Sequence, residues 1–149
     1  MNKILLSFFT LIVFCSSVFS DDTVNVTEIT KHLNEPWGMT FVDDDNLLIT
    51  EKTGEILRID MKTGKKSSIN HELDFYYYGQ GGLLDILYND GYVYVSYSED
   101  RGDGLTSTSI ARGLYNTQKI DFKNIFRAEP PISSGYHFGS RVVIKDTYL

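Results

Sequence analysis

The sequence predicts an all-β protein of the β-propeller class, and three observations support that prediction. A glycine, an apolar alternating run, a polar turn and a second β-rich run recur from Gly38, Gly82 and Gly139, at spacings of 44 and 57 residues. Propeller blades repeat every ~40–50 residues, with insertions in loops. Val, Ile, Tyr, Phe and Thr favour strands, and no long stretch beyond the N-terminus has helical periodicity. An antiparallel sandwich with similar hairpins is the alternative.

The predicted strands follow in chain order. The first unit pairs residues 38–42 with 47–50 across an acidic turn, and the second pairs 82–88 with 92–97 across a turn in which Gly91 supplies a positive φ. The third pairs residues 139–144 with 148–149. Additional strands are predicted at residues 23–29, 108–112 and 118–122. Trp37 is expected in the core between blades.

Residues 1–20 are predicted to be a secretory signal peptide. Lys3 supplies a positive start, residues 4–14 are apolar, and acidic Asp21 follows a plausible cleavage point. A membrane anchor is the alternative, but the apolar run is shorter than the roughly 20 residues that a span needs. Residues 21–149 are therefore expected to be the N-terminal part of a propeller domain, periplasmic or secreted, with no membrane span after cleavage.

Charge and cysteine content exclude some classes of protein. The formal net charge is −6 at pH 7, which disfavours nucleic acid and anionic membranes as partners. Cys15 is the only cysteine and lies within the predicted signal peptide. A mature chain without cysteine is not a small disulfide-stapled module.

Two residues are candidates for chemistry. His137 lies on a glycine-bounded loop before a predicted strand, where propellers place binding sites, and histidine titrates near neutrality as a proton acceptor must. Gln80 lies between Gly79 and Gly81, so backbone can approach a ligand while the amide offers a donor and acceptors. A histidine bonded within its loop and a flexible approach to a strand are the alternatives.

Other motifs have simpler interpretations. Residues 43–45 are three aspartates that could bind calcium, but a solvated turn is the favoured interpretation. Residues 75–78 are aromatic and could stack on sugars, but packing within a strand is favoured. His32 and His71 have no partner that the sequence identifies, and no Cys/His cluster has the spacing of a metal site.

In combination, these residues resemble the glucose/sorbosone dehydrogenase family, which contains exported sugar dehydrogenases that depend on pyrroloquinoline quinone (PQQ). The resemblance covers residues 33–149. Its landmarks are Leu33-Asn34-Glu35-Pro36-Trp37-Gly38-Met39, Leu48-Ile49-Thr50-Glu51-Lys52-Thr53-Gly54, Gly79-Gln80-Gly81-Gly82-Leu83-Leu84-Asp85, Ser96-Tyr97-Ser98-Glu99, Ile125-Phe126-Arg127-Ala128-Glu129-Pro130 and His137-Phe138-Gly139-Ser140-Arg141.

The resemblance implies a six-bladed propeller, of which this chain holds about two blades and part of a third. It implies that His137 is the general base in the oxidation of an aldose to a lactone and that Gln80 lies beside the sugar. PQQ takes the hydride and passes the electrons to an external acceptor. The resemblance also implies calcium, whose ligands and the cofactor-binding residues lie in later blades. Tyr136 stands where some relatives are acidic.

A non-catalytic propeller that binds sugar or protein is the alternative function, and a truncated, non-functional product is a third. Because residues from later blades are needed to complete the ring, this chain by itself is expected to have no dehydrogenase activity. It is also expected to aggregate through open strand edges near Val24 and Val26 and at residues 142–144.

Overall fold

The structure is a computed structural model that describes residues 24–139, 141–146 and 148. These residues contain eight strands and no helix, and so no helix that is long and apolar enough to cross a membrane. The predicted signal peptide at residues 1–20 lies outside them. The strands are β1 (Pro36–Asp43), β2 (Asn46–Glu51), β3 (Ile56–Asp60), β4 (Lys66–Ile69), β5 (Leu83–Asn89), β6 (Tyr92–Asp100), β7 (Thr106–Leu114) and β8 (Lys123–Arg127).

The strands form two antiparallel four-stranded sheets, each in simple meander order. Sheet 1 has the order β1-β2-β3-β4, and sheet 2 has the order β5-β6-β7-β8. Each strand pairs with the next one along the chain, which is the arrangement of a propeller blade. The prediction of an all-β fold with two blades is confirmed.

The hairpin that opens sheet 1 is held by an aspartate at its turn. The Asp43 Oδ1 atom accepts hydrogen bonds of 2.8 Å from the Asp45 backbone N–H and from the Asn46 amide. The exposed Lys62 ammonium lies 2.6 Å from the Asp45 carboxylate. These aspartates therefore make a solvated turn, as predicted, with a lysine beside it.

The hairpin that opens sheet 2 has the turn chemistry that the sequence predicts. Asp90 and Gly91 both have positive φ, 47° and 80°. Two consecutive positive φ angles define the mirror-image turn that matches the right-handed twist of paired strands, and Gly adopts the second without steric cost. This turn fixes the register of β5 against β6, with Asn89 opposite Tyr92.

The main core lies between the two sheets. It consists of side chains from both: Leu48, Ile56, Ile69, Leu83, Ile86, Val93, Val95, Tyr97, Ala111 and Ile120. A second, smaller cluster contains Leu47, Ile49, Leu57 and Ile59, against which Leu33 packs. Removal of this apolar surface from water is the dominant favourable term in folding.

The two sheets approach each other closely at Gly38 in β1. A Cβ atom at this position would lie 2.9 Å from the backbone atoms of Leu84, Asp85 and Ile86. The Thr50 hydroxyl bridges the same junction, because it accepts a hydrogen bond from the Gly38 N–H and donates one to the Leu84 carbonyl. The glycine therefore allows β1 to pack directly on the backbone of β5.

Four expectations from the sequence are wrong. The described part of residues 23–29 is not a strand, and residues 141–144 are not a strand either; only Lys145 and Tyr148 form an isolated bridge there. Open edges at Val24, Val26 and residues 142–144 therefore do not form. The strand predicted at 118–122 begins at Lys123, because residues 116–119 form a turn on the Asn116 side chain. Trp37 is 50% exposed rather than buried in the core.

Candidate functional site

The loop before β5 carries Gln80 and is fixed from below by Ser98 of β6. The buried Ser98 hydroxyl accepts a hydrogen bond of 2.7 Å from the Gly82 N–H and donates one of 2.7 Å to the Tyr76 carbonyl. Gly82 has a φ of 141°, and a Cβ atom there would lie 2.2 Å from the Lys52 carbonyl oxygen. A side chain at position 82 would collide with the Lys52 backbone, so this position requires glycine.

Lys52, which follows β2, holds the same loop from the side of sheet 1. Its ammonium lies 3.0 Å from the Gly79 carbonyl oxygen and 3.1 Å from the Glu35 carboxylate. The Tyr77 hydroxyl donates a 2.7 Å hydrogen bond to the same carboxylate. The bonds from Tyr77 and Lys52 lower the pKa of Glu35, which therefore stays ionised and keeps Lys52 in place.

The structure brings the two predicted site residues into direct contact. The Gln80 Oε1 atom accepts a 2.8 Å hydrogen bond from the backbone N–H of His137. The Gln80 backbone N–H donates one of 2.8 Å to the Gly135 carbonyl. Since a backbone N–H can only donate, the amide of Gln80 turns its oxygen towards His137 and keeps its NH₂ group for other partners.

His137 combines a left-handed backbone with an exposed side chain. Its φ is 64°, in the left-handed region that non-glycine residues rarely adopt. The side chain is exposed, and none of the described residues donates a hydrogen bond to its imidazole or accepts one from it. The interpretation of His137 as a histidine bonded within its loop therefore finds no support among the described residues.

A small cleft adjoins His137. Its volume is about 160 Å³, and the lining residues include Tyr136, His137 and Phe138 on one side and Thr106 to Thr108 on the other. Pockets that enclose a small molecule are larger, ~300–1,000 Å³.

The Tyr78 ring covers Gly135, where a Cβ atom would lie 2.8 Å from the ring. Tyr77 and Tyr78 are exposed outside any strand, so the expectation that they pack within a strand is wrong.

A charged network below the loop supports β6. The Glu99 carboxylate accepts hydrogen bonds from Arg127 Nε at 2.8 Å, from Ser109 at 2.6 Å and from Asn124 at 2.9 Å. Burial raises the pKa of Glu99, but the bonds from Arg127 and Ser109 outweigh burial and leave this pKa below its ordinary value. Burial also raises the pKa of Tyr97 to about 12. Glu99 is therefore a structural anion rather than a proton carrier.

The chain after His137 returns to β5 at Asp85. The Asp85 carboxylate accepts a 2.7 Å hydrogen bond from the Val142 N–H and lies 3.4 Å from Arg141 Nη1.

His71 lies elsewhere, and both of its ring nitrogens are bonded to the backbone. Nδ1 accepts a hydrogen bond from the Leu73 N–H, and Nε2 donates one of 2.8 Å to the Gly54 carbonyl. His71 is thus a structural histidine. No group of three or more His, Cys, Asp or Glu among the described residues could hold a metal ion.

Sequence reasoning identified Gln80 and His137 but missed three side chains that bond to the segments carrying them, which are Lys52, Ser98 and Asp85. Each lies within a landmark stretch of the sequence, and that is the only signal of its role. Lysine, serine and aspartate are ordinary in strands and turns of the surface. Their contacts extend over 27, 16 and 57 residues, and no local pattern predicts them.

Two consecutive four-stranded meanders, in contact through their first strands β1 and β5, are the architecture of β-propeller blades. The glucose/sorbosone dehydrogenase profile matches residues 33–149. The chain belongs to the glucose/sorbosone dehydrogenase family, as the sequence landmarks predict.

Individual relatives agree with this assignment. Aldose sugar dehydrogenase YliI of Escherichia coli strain K12 is 33% identical in an alignment of 130 residues that covers 81% of this chain and 35% of the relative. The crystal structure of the soluble E. coli aldose sugar dehydrogenase in its apo-form matches with a TM-score of 0.74 at 34% identity, over 82% of this chain and 38% of that one.

A PQQ-bound aldose sugar dehydrogenase from Streptomyces coelicolor matches with a TM-score of 0.62 at 26% identity, over 70% of this chain and 34% of that one. The chain thus spans about a third of the length of the relatives that it matches. The match confirms the propeller-type fold of the described sheets.

Proposed function

We propose that this chain supplies the general base and a substrate contact for the PQQ-dependent oxidation of an aldose to a lactone. The observation that carries the proposal is the contact between Gln80 and His137. One hydrogen bond joins the Gln80 side chain to the backbone of His137, whose side chain is exposed, so that a donor and a proton acceptor belong to the same small region of the surface.

The two residues have complementary roles in this proposal. In this proposal, the exposed imidazole of His137 accepts the proton of the anomeric hydroxyl. The NH₂ group of Gln80 donates a hydrogen bond to an oxygen of the sugar and orients it. A positioned base contributes ~10²–10⁴-fold to the rate.

The described residues fit the substrate side of this reaction. When bound, PQQ accepts the hydride from the anomeric carbon and passes the electrons to an external acceptor. The exposed faces of His137 and Gln80 are open to a sugar, and we assign no cofactor contact to them. Calcium stays an expectation from the family, because the described residues offer no group of ligands for it.

The test is a graft that compares two exposed histidines. Residues 32–149 replace the corresponding segment of the E. coli relative, and aldose oxidation is measured with a redox dye in the presence of PQQ and calcium. His137→Ala is expected to lower kcat by at least ~10²-fold, the lower range for a lost general base. His32→Ala is the matched control, because His32 is also exposed and has a φ of 56°.

Two outcomes would contradict the proposal. A His137→Ala graft that retains the turnover of the unmodified graft would exclude this residue as the base. A graft that binds sugar, measured by calorimetry, but oxidises none would favour the non-catalytic binding propeller.

We also propose that the protein is exported, on the basis of the charged and apolar pattern of residues 1–20. Mass spectrometry of the exported protein is expected to find Asp21 at the N-terminus. An intact Met1 in a membrane fraction would contradict cleavage.

A further inference from the structure

We propose that Asp85 is a positioning residue for the His137–Gln80 site. It acts as a latch that attaches the chain after His137 to β5, the strand that Gln80 precedes. The inference rests on the proposed function, because the position of His137 matters to catalysis only if His137 is the base.

Among the described residues, the hydrogen bonds of the Asp85 side chain go to Arg141 and Val142. It is 4% exposed, and its carboxylate is directed away from the apolar core towards residues 141 and 142. A register shift between Leu83 and Ile86 in the pairing of β5 with β6 surrounds it. Such bulges redirect side chains next to functional sites. The irregularity of β5 therefore places an acceptor where the returning chain needs one.

The Asp85–Val142 and Gln80–His137 hydrogen bonds join residues that are the same distance apart along the chain. Gln80 bonds to the N–H of His137, and Asp85 bonds to the N–H of Val142, and each pair is separated by 57 residues. Two side chains five positions apart on one segment thus bind two backbone amides five positions apart on the other. Two fixed points determine the position and the direction of the segment, whereas one would leave it free to pivot.

A carboxylate is suited to this task. Residues 141–144 form no strand, so the buried Val142 N–H has no ladder partner and needs a side-chain acceptor. Val142 is 5% exposed, and a bond from a charged acceptor is stronger than one from a neutral group. Arg141, whose side chain is 78% exposed, offsets the cost of the buried charge while it remains in contact with water.

The test compares two substitutions in the full 149-residue chain, observed by NMR. Asp85→Asn keeps an oxygen that can accept from the Val142 N–H, whereas Asp85→Leu removes it at similar volume. For Asp85→Leu we expect the hydrogen exchange of the Val142 amide to accelerate by ~10-fold or more, the loss expected for a hydrogen bond to a charged acceptor. We also expect the His137 amide and the Gln80 side-chain NH₂ resonances to shift.

A purely structural role predicts a different result. If Asp85 only stabilised β5, the Gln80 and His137 resonances would stay in place while amides of sheet 2, such as those of the paired residues Ile86 and Val95, lost protection. Asp85→Asn is expected to restore the site resonances and most of the protection of Val142. Unchanged site resonances in Asp85→Leu would overturn the proposal, whether sheet 2 loses its protection or keeps it.

A second variant covers the case in which Asp85→Leu does not fold. Val142→Pro removes the donor N–H and leaves Asp85 in place, and we expect the same shifts of Gln80 and His137. If these resonances did not shift in Val142→Pro, the latch would be rejected. None of these measurements depends on turnover, so failure of aldose oxidation in the graft would reject the proposed function and leave the latch to be judged by the spectra.

Discussion

The two junctions of β5 are built differently, although the repeat in the sequence makes them equivalent. At the junction with sheet 1, Gly38 packs on the backbone of β5, and the hydroxyls of Thr50 and Thr40 bond to Leu84 and to the Tyr88 N–H. At the junction with residues 137–142, a charged carboxylate and one amide oxygen hold the chain. Here the glycine that matches Gly38 is Gly139, and no described atom lies within 4 Å of a Cβ atom at that position.

The first junction of β5 is held by close packing, whereas the second is held by hydrogen bonds to residues 137 and 142. A junction that depends on close backbone contact and neutral hydroxyls is rigid and tolerates no added volume. The junction that depends on two directed hydrogen bonds has a small cleft beside His137. The same repeat unit therefore provides a structural seam on one side of β5 and a site on the other.

The largest expected effect is that of an added methyl group at the first junction. Gly38→Ala places a Cβ atom 2.9 Å from backbone atoms that cannot move independently. We expect it to reduce the free energy of unfolding by about 3 kcal/mol, the upper range for overpacking. Gly139→Ala is the control, expected to change it by less than about 0.5 kcal/mol. Urea unfolding of both variants measures the difference, and equal losses would refute the contrast between the junctions.

A smaller effect is expected from the hydroxyl that bridges the first junction. Thr50→Val keeps the shape of a fully buried side chain but leaves the Gly38 N–H and the Leu84 carbonyl without this partner. The expected loss is about 2 kcal/mol, typical of buried groups that lose their hydrogen bonds. The fluorescence-detected urea midpoint would measure it. A Thr50→Ser variant keeps the hydroxyl and should retain most of this stability. A Thr50→Val variant as stable as the unmodified chain would contradict this role of the hydroxyl.

The smallest expected effect is on the pH dependence of stability, and it comes from Glu99 of β6 and its bonds to Arg127 and Ser109. Although burial raises the pKa of Glu99, its bonds to Arg127 and Ser109 leave it below the value in the unfolded chain. Its contribution to stability is therefore complete above the ordinary carboxyl range and is lost as the pH falls through the folded pKa. Urea midpoints between pH 7 and pH 3 should decrease less steeply in Glu99→Gln. Identical slopes would contradict this role.

Local chemistry predicted most of the fold, and the exceptions have physical causes. The alternation and turn residues of residues 38–50 and 82–97 predicted both leading hairpins, because period-two patterning and positive-φ turns are local properties. The third unit repeats the same pattern at residues 139–144 but forms no strand in the described chain. A strand needs a partner for its backbone, and there the Asp85 side chain takes that place at Val142.

The candidate site could be predicted only in part. Gln80 and His137 were identifiable because glycines and a landmark motif surround them, but the hydrogen bond between them was not predicted. The role of Lys52 depends on its distance to the Gly79 carbonyl and to Glu35, which comes from the packing of sheet 1 on sheet 2. Long-range contacts of that kind are properties of the assembled sheets, and single-sequence patterns do not contain them.

The paired register of residues 80 and 85 with residues 137 and 142 limits how the length of this chain can vary. An insertion or deletion within 81–84 or 138–141 would separate the two attachment points by the wrong distance on one side only. The loop between β6 and β7, where Gly102 and Gly104 have no neighbour within 4 Å of a Cβ position, has no such constraint. Insertion scanning should therefore find two short segments of fixed length near the site and a permissive loop between β6 and β7.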